Sequence, residues 1–201
     1  MQSKPLIIIS SSNCRQHELV NFINKSTKLV ALPELYDPTR RTLLNNNINH
    51  LDLIYDNCCV DVINITYDFY LLNDLEFVDI ISSTGNICIL YRHNILDEAI
   101  FNCVLSKYGH IAKDNVVNIT YSDMLDAILE LYLLSNKHLS IPCNHKIECT
   151  TLCGNEFAKN LFGTTIALEP EPKASDLLVN YDLHVGHLSN TLDSTILQRI
   201  L

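Results

Sequence analysis

An α/β fold built on a mainly parallel sheet is what this sequence predicts, and three observations predict it. Short apolar runs rich in Ile and Val recur along the chain, at Leu6, Cys58 and Asn86. Runs that are apolar throughout suit strands buried on both faces, which is the habit of parallel sheets. Between them lie stretches with helical spacing, and such alternation implies strand–helix–strand crossovers.

The elements follow in order. Leu6–Ser11 reads as a buried strand, and Leu19, Val20, Phe22 and Ile23 then recur on a helix face. Thr27–Pro33 gives a second strand closed by proline, and Asp37-Pro38 opens a helix with the aspartate as cap. Cys58–Tyr67 alternates as a strand, and a mixed helical pattern resumes at Asp68. Asn86–Tyr91 is again a strand after the Gly85-Asn86 turn, and Asn94 caps a helix over Ile95–Lys107. Asn115–Tyr121 reads as the last clear strand, Tyr121 anchoring its end, and Ser122–Leu134 as the last long helix. Ala167–Asp176, with two prolines, is expected to be a loop before a short C-terminal segment.

A chain of 201 residues with 47% hydrophobic residues, 5 glycines and 6 prolines fits one domain spanning 1–201, neither disordered nor fibrous. A net charge of −9 argues against general attraction to nucleic acid or an anionic membrane, so an anion site has to be local. The N-terminal apolar run is too short for an export signal, and no stretch reaches the length of a membrane helix. The 8 cysteines are therefore expected as reduced thiols in a cytoplasmic protein.

Chemistry is suggested first by "SSSNCRQH", Ser10 to His17, directly after the opening strand. Main-chain amides in a tight turn before a helix form a concave anion site. Ser10, Ser11 and Ser12 add hydroxyls and Arg15 adds a full charge. The G-x-x-x-x-G-K-[ST] pattern of nucleoside-triphosphate loops is absent. Helix capping by Ser12 or Asn13 is the alternative use of the same residues.

The chain shows, in order, "IISSSNCRQHEL", "LPELYDP", "NITYD", "ILYRHNILDEAIF", "ITYSDML" and "SDLLVNYDL". This series resembles the PAPS-dependent sulfotransferases, in particular the bacterial branch similar to trehalose sulfotransferase. PAPS is 3′-phosphoadenosine 5′-phosphosulfate. The resemblance spans nearly the whole chain, as a compact member. It implies a P-loop NTPase-like, sulfotransferase-type three-layer fold and transfer of a sulfuryl group from PAPS to a hydroxyl of a carbohydrate or small metabolite. No metal is expected.

The resemblance places the donor on Ser10, Ser11, Ser12, Asn13, Cys14, Arg15, Gln16 and His17, and its 3′-phosphate on Arg92 and His93. The family's loop arginine, serine and glycine fall on Asn13, Cys14 and Arg15, and its two following hydroxyls on Gln16 and His17. Its phosphate-gripping arginine and serine fall on His93 and Phe101, and a lysine falls on Asn64. Glu34 corresponds to the general base and Arg15 to a charge-stabilising group, with Arg40 and Arg41 closing over the acceptor. These departures also imply an alternative: a sulfotransferase-like protein without catalysis that binds a nucleotide or a protein partner.

Cys143, His145, Cys149 and Cys153 form a C-x-H-x₃-C-x₃-C cluster, which would bring Cys149 and Cys153 one turn apart if Thr150–Leu161 were helical. Cys14 beside His17 allows a thiol nucleophile at a helix start. The cluster's spacing is not one of the standard paired spacings, and Cys14 with His17 has no matching third member. His184 and His187 are expected to be solvated or packed in the tail.

Overall fold

The computed structural model describes residues 5–11, 13–32, 61–66 and 86–201. Ser12, Glu34, Arg40 and Arg41, the expected helix at Asp37-Pro38, Cys58, Cys59 and the segment from Asp68 lie outside the described residues.

The sheet has five parallel strands: β1 (Leu6–Ser10), β2 (Ala31–Leu32), β3 (Val62–Thr66), β4 (Ile87–Tyr91) and β5 (His145–Glu148). Their order is β2-β3-β1-β4-β5, every neighbouring pair parallel, with β1 central. The general α/β expectation therefore holds. The helices are α1 (Gln16–Ser26), α2 (Ile95–Tyr108), α3 (Tyr121–Ser140), α4 (Glu156–Phe162), α5 (Ala174–Leu177), α6 (Tyr181–Thr191) and α7 (Ser194–Ile200).

The chain divides into two compact units, residues 1–91 with 141–168, and residues 92–140 with 169–201. The first holds the sheet, α1 and α4. Leu6, Ile8, Val62, Cys88, Leu90 and Ile147 form one face of the sheet, and their core includes Leu19, Val20 and Ile23 of α1 and Ala158 and Phe162 of α4. The alternate residues Ile7, Ile9, Ile63, Ile65, Ile87 and Ile89 are also buried. Burial on both faces is why these strands are apolar at every position, each isoleucine contributing about 1.5–3 kcal/mol.

The second unit is helical. α2 supplies Ile95, Leu96, Ala99, Ile100, Phe101 and Val104 to a core shared with Met124 and Ile128 of α3 and Leu188 of α6. The Asn94 side chain accepts from the Asp97 amide and so caps α2, as the sequence predicts, while its own amide donates to the Leu201 carbonyl.

Three expectations are corrected, and one condition set on the cysteine cluster is not met. The strand expected at Asn115–Tyr121 makes only an isolated bridge, Val117 to Leu178, and Tyr121 begins α3 instead of ending a strand. Val117 is buried in the helical core, so tertiary packing overrides the β propensity of "NVVNITY". The helix over Thr150–Leu161 is interrupted: a 3₁₀ turn spans Cys149–Thr151 and α4 starts only at Glu156. Gly154 between them has φ 77°, and the Asn155 side chain caps α4 through the amides of Phe157 and Ala158. Thr27–Pro33 shortens to Ala31–Leu32 among its described residues, and the loop expected over Ala167–Asp176 already contains the start of α5 at Ala174.

Candidate functional site

β1 ends at Ser10, and a short turn leads into α1. The Cys14 amide bonds the Ser11 carbonyl at 3.4 Å, and the Ser11 hydroxyl lies 2.8 Å from the Cys14 thiol. Arg15 is the residue before the helix and adopts left-handed backbone, φ 59° and ψ 22°. Its side chain makes no capping bond to the helix amides.

The site lies where the sheet changes direction. From β1 the chain continues to β2 and β3 on one side; from β3 it continues to β4 on the other side of β1. The carboxyl ends of β1 and β3 thus flank the topological switch point, the usual ligand position in open parallel sheets. Ser10, Asn13, Gln16, Asn64 and Thr66 are polar and buried there or in the adjoining turn, and Cys14 is buried beside them. The Ser10 hydroxyl donates to Asn64 Oδ1 at 3.3 Å.

Charge in the turn is balanced locally. The Arg15 guanidinium pairs with Glu18, one turn into α1, its Nε lying 3.3 Å from Oε1. The Arg15 side chain is only 7% exposed while Glu18 is 48% exposed. The carboxylate sits in the first turn, where the helix dipole also favours it. An incoming anion therefore competes with Glu18 for the guanidinium. Gln16 is buried and His17 exposed, so the two positions do not present equivalent side chains.

Compared with protein-family models, curated proteins and solved structures, the chain matches none.

Arg92 and His93 belong to the helical unit. Arg92 is buried and His93 exposed, as adjacent side chains leaving a strand end would be. One nitrogen of Arg92 lies 2.9 Å from each carboxylate oxygen of Glu171, and its guanidinium rests 4.6 Å from the Phe101 ring centroid. The sequence signal missed Glu171 because it lies 79 residues away in a proline-bearing stretch.

The Cys143–Cys153 cluster is dispersed by its local structure. Cys149 is buried, Cys153 is exposed with its thiol 3.8 Å from the Leu168 carbonyl, and His145 lies against the Phe157 ring at 4.4 Å. Among the described residues no group of three or more His, Cys, Asp or Glu is placed to hold a metal ion. Cys14 is fully buried, and Cys88 in β4 has its thiol pushed up to about 12, first by burial and then by Cys143. Among the described residues no helix is long and apolar enough to cross a membrane.

Proposed function

We propose that the β1–α1 turn binds a phosphate- or sulfate-bearing nucleotide, and that the protein is a compact sulfotransferase using PAPS as donor and a carbohydrate or small-metabolite hydroxyl as acceptor. Arg15 carries the reading. It holds left-handed backbone at the position where the resembling loop has glycine, after the central strand and at a helix N-terminus. Such a conformation costs a non-glycine residue roughly 1–2 kcal/mol, more for a long side chain than for Asn180, which takes the same backbone before α6. The sulfotransferase-type three-layer fold and a cytoplasmic setting belong to the same proposal.

In this reading Ser10, Ser11, Ser12, Asn13, Cys14, Gln16 and His17 line the donor end, and Arg15 exchanges Glu18 for the donor's negative charge. Glu34 takes the acceptor's proton as the hydroxyl becomes nucleophilic. The donor supplies the sulfuryl group, and its leaving phosphate departs with the displaced electron pair. An in-line arrangement held by a guanidinium suits this transfer as it does phosphoryl transfer.

A second reading is a sulfotransferase-like protein that binds a nucleotide or protein partner without turnover. Arg92 favours it, because a buried guanidinium already paired with Glu171 and stacked on Phe101 is poorly placed to grip a 3′-phosphate. Thermal-shift titration with adenosine 3′,5′-bisphosphate tests both. Saturation at a hundredfold excess over Kd should stabilise the protein by about 2.7 kcal/mol, and no shift at millimolar ligand would end every nucleotide reading. With binding in hand, Glu34→Gln should abolish sulfuryl transfer while leaving that affinity intact; equal loss of both would remove Glu34 from its role as base.

A further inference from the structure

The carboxyl end of β3 holds two buried polar atoms that the described fold leaves unsatisfied, Thr66 Oγ1 and Asn64 Nδ2. Asn64 is 0% exposed and Thr66 6%. Buried hydroxyls and amides nearly always have partners, so an unfilled pair at one place calls for an explanation.

Their direction follows from the register. Ile8 pairs with Asn64 and Ser10 with Thr66. Side chains alternate along a strand, so Val62, Asn64 and Thr66 share one face, as do Leu6, Ile8 and Ser10. Leu6, Ile8 and Val62 share their core with Leu19, Val20 and Ile23 of α1. Asn64 and Thr66 therefore continue the row that faces α1, running toward the β1–α1 turn at the switch point. The Ser10–Asn64 hydrogen bond places the Asn64 amide on the same side. With Ser10 donating to its Oδ1, the Asn64 amide presents its Nδ2 hydrogens to a ligand, and the Thr66 hydroxyl can rotate its hydrogen to donate beside it.

We infer that Thr66 and Asn64 form the neutral floor of the anion site, donating hydrogen bonds to a tetrahedral oxyanion, phosphate or sulfate, held above them by the turn and the α1 N-terminus. The inference rests on the reading of that turn as an anion site and adds β3 to it. Every side chain named on the floor and its flank, Ser10, Asn13, Gln16, Asn64 and Thr66, is neutral. Recognition then depends on aligned donors, with Arg15 at the rim held by Glu18. Such a site accepts tetrahedral oxyanions by shape and hydrogen-bond count in preference to a planar carboxylate such as acetate.

Thr66→Val removes the hydroxyl and keeps the shape; Thr66→Ser keeps the hydroxyl. Isothermal titration of the full chain uses sodium sulfate, sodium phosphate, sodium acetate and adenosine 3′,5′-bisphosphate as separate arms. Wild type is expected to bind at least one oxyanion in preference to acetate. Thr66→Val should lose tenfold or more in affinity, with Thr66→Ser within threefold of wild type. The melting temperature of Thr66→Val should equal or exceed that of wild type, because the hydroxyl has no structural partner to lose. Wild-type affinity in Thr66→Val would overturn the inference while leaving the anion site standing. A lower melting temperature in Thr66→Val, absent in Thr66→Ser, would also overturn it, by showing that a structural partner or buried water already satisfies the hydroxyl. No binding of any arm by wild type would remove the anion site itself.

Discussion

A φ of 59° on Arg15 sets a local cost against a local gain. The backbone strain is of order 1 kcal/mol, and the pair with half-exposed Glu18 returns about 0.2–1 kcal/mol after solvent screening. Arg15→Gly sheds both, whereas Arg15→Ala sheds only the pair and keeps the Cβ. The glycine variant should therefore be about 1 kcal/mol more stable than the alanine variant in urea titration, and equal midpoints would mean that the turn relaxes out of the left-handed region. Only the resemblance, whose loop has glycine at this position, singled it out; composition and spacing did not announce it. Its ion pair was not legible, since Glu18 reads equally well as an ordinary first-turn carboxylate. Nor were Asn64 and Thr66: polar residues inside an apolar run look like interruptions until the register shows that they adjoin Ser10.

At the scale of single elements, α6 carries a pH response. His184 is buried, its ring 6.4 Å from that of Tyr121, while His187 on the next turn lies 5.0 Å from the same ring. Burial first, then the neighbouring His187, hold the His184 imidazole below its ordinary value, partly opposed by a hydrogen bond with the Ile119 backbone. A depressed histidine stays neutral in the fold, so the unfolded chain binds the extra proton. Stability is then fully present above the ordinary imidazole range near 6.5 and falls as pH drops through the lower folded value. Urea midpoints should decline below pH 6.5, and His184→Gln should flatten that part of the profile; an unchanged slope would assign the decline to other groups. Sequence alone left this histidine between solvent and packing.

Legibility varied by element for physical reasons. β1, β3 and β4 are apolar on both faces, and their sequences announce it. The edge strand β5, "HKIE", buries only Ile147, so its pattern carried no strand signal. The bridge at Val117 shows the converse: β-branched residues serve a helical core as readily as a sheet.

Across the whole molecule, each unit is assembled from two stretches of chain, and the sheet core takes Ile147, Cys149, Leu152, Ala158, Phe162 and Ile166 from the second. A fragment of residues 1–91 lacks all six together with β5. It should show little native secondary structure by circular dichroism, and a cooperative thermal transition in that fragment would mean that the sheet unit stands without its second stretch. The same interleaving has a consequence in time. On the ribosome, β4 emerges with its outer edge uncovered, because its neighbour β5 lies beyond residues 92–144. At ordinary elongation rates that interval lasts about 3–10 s, during which an isoleucine-bearing edge stays open to other nascent chains. Slow stretches of translation upstream of His145 should therefore raise the yield of inclusion bodies, and chaperones that shield strand edges should lower it.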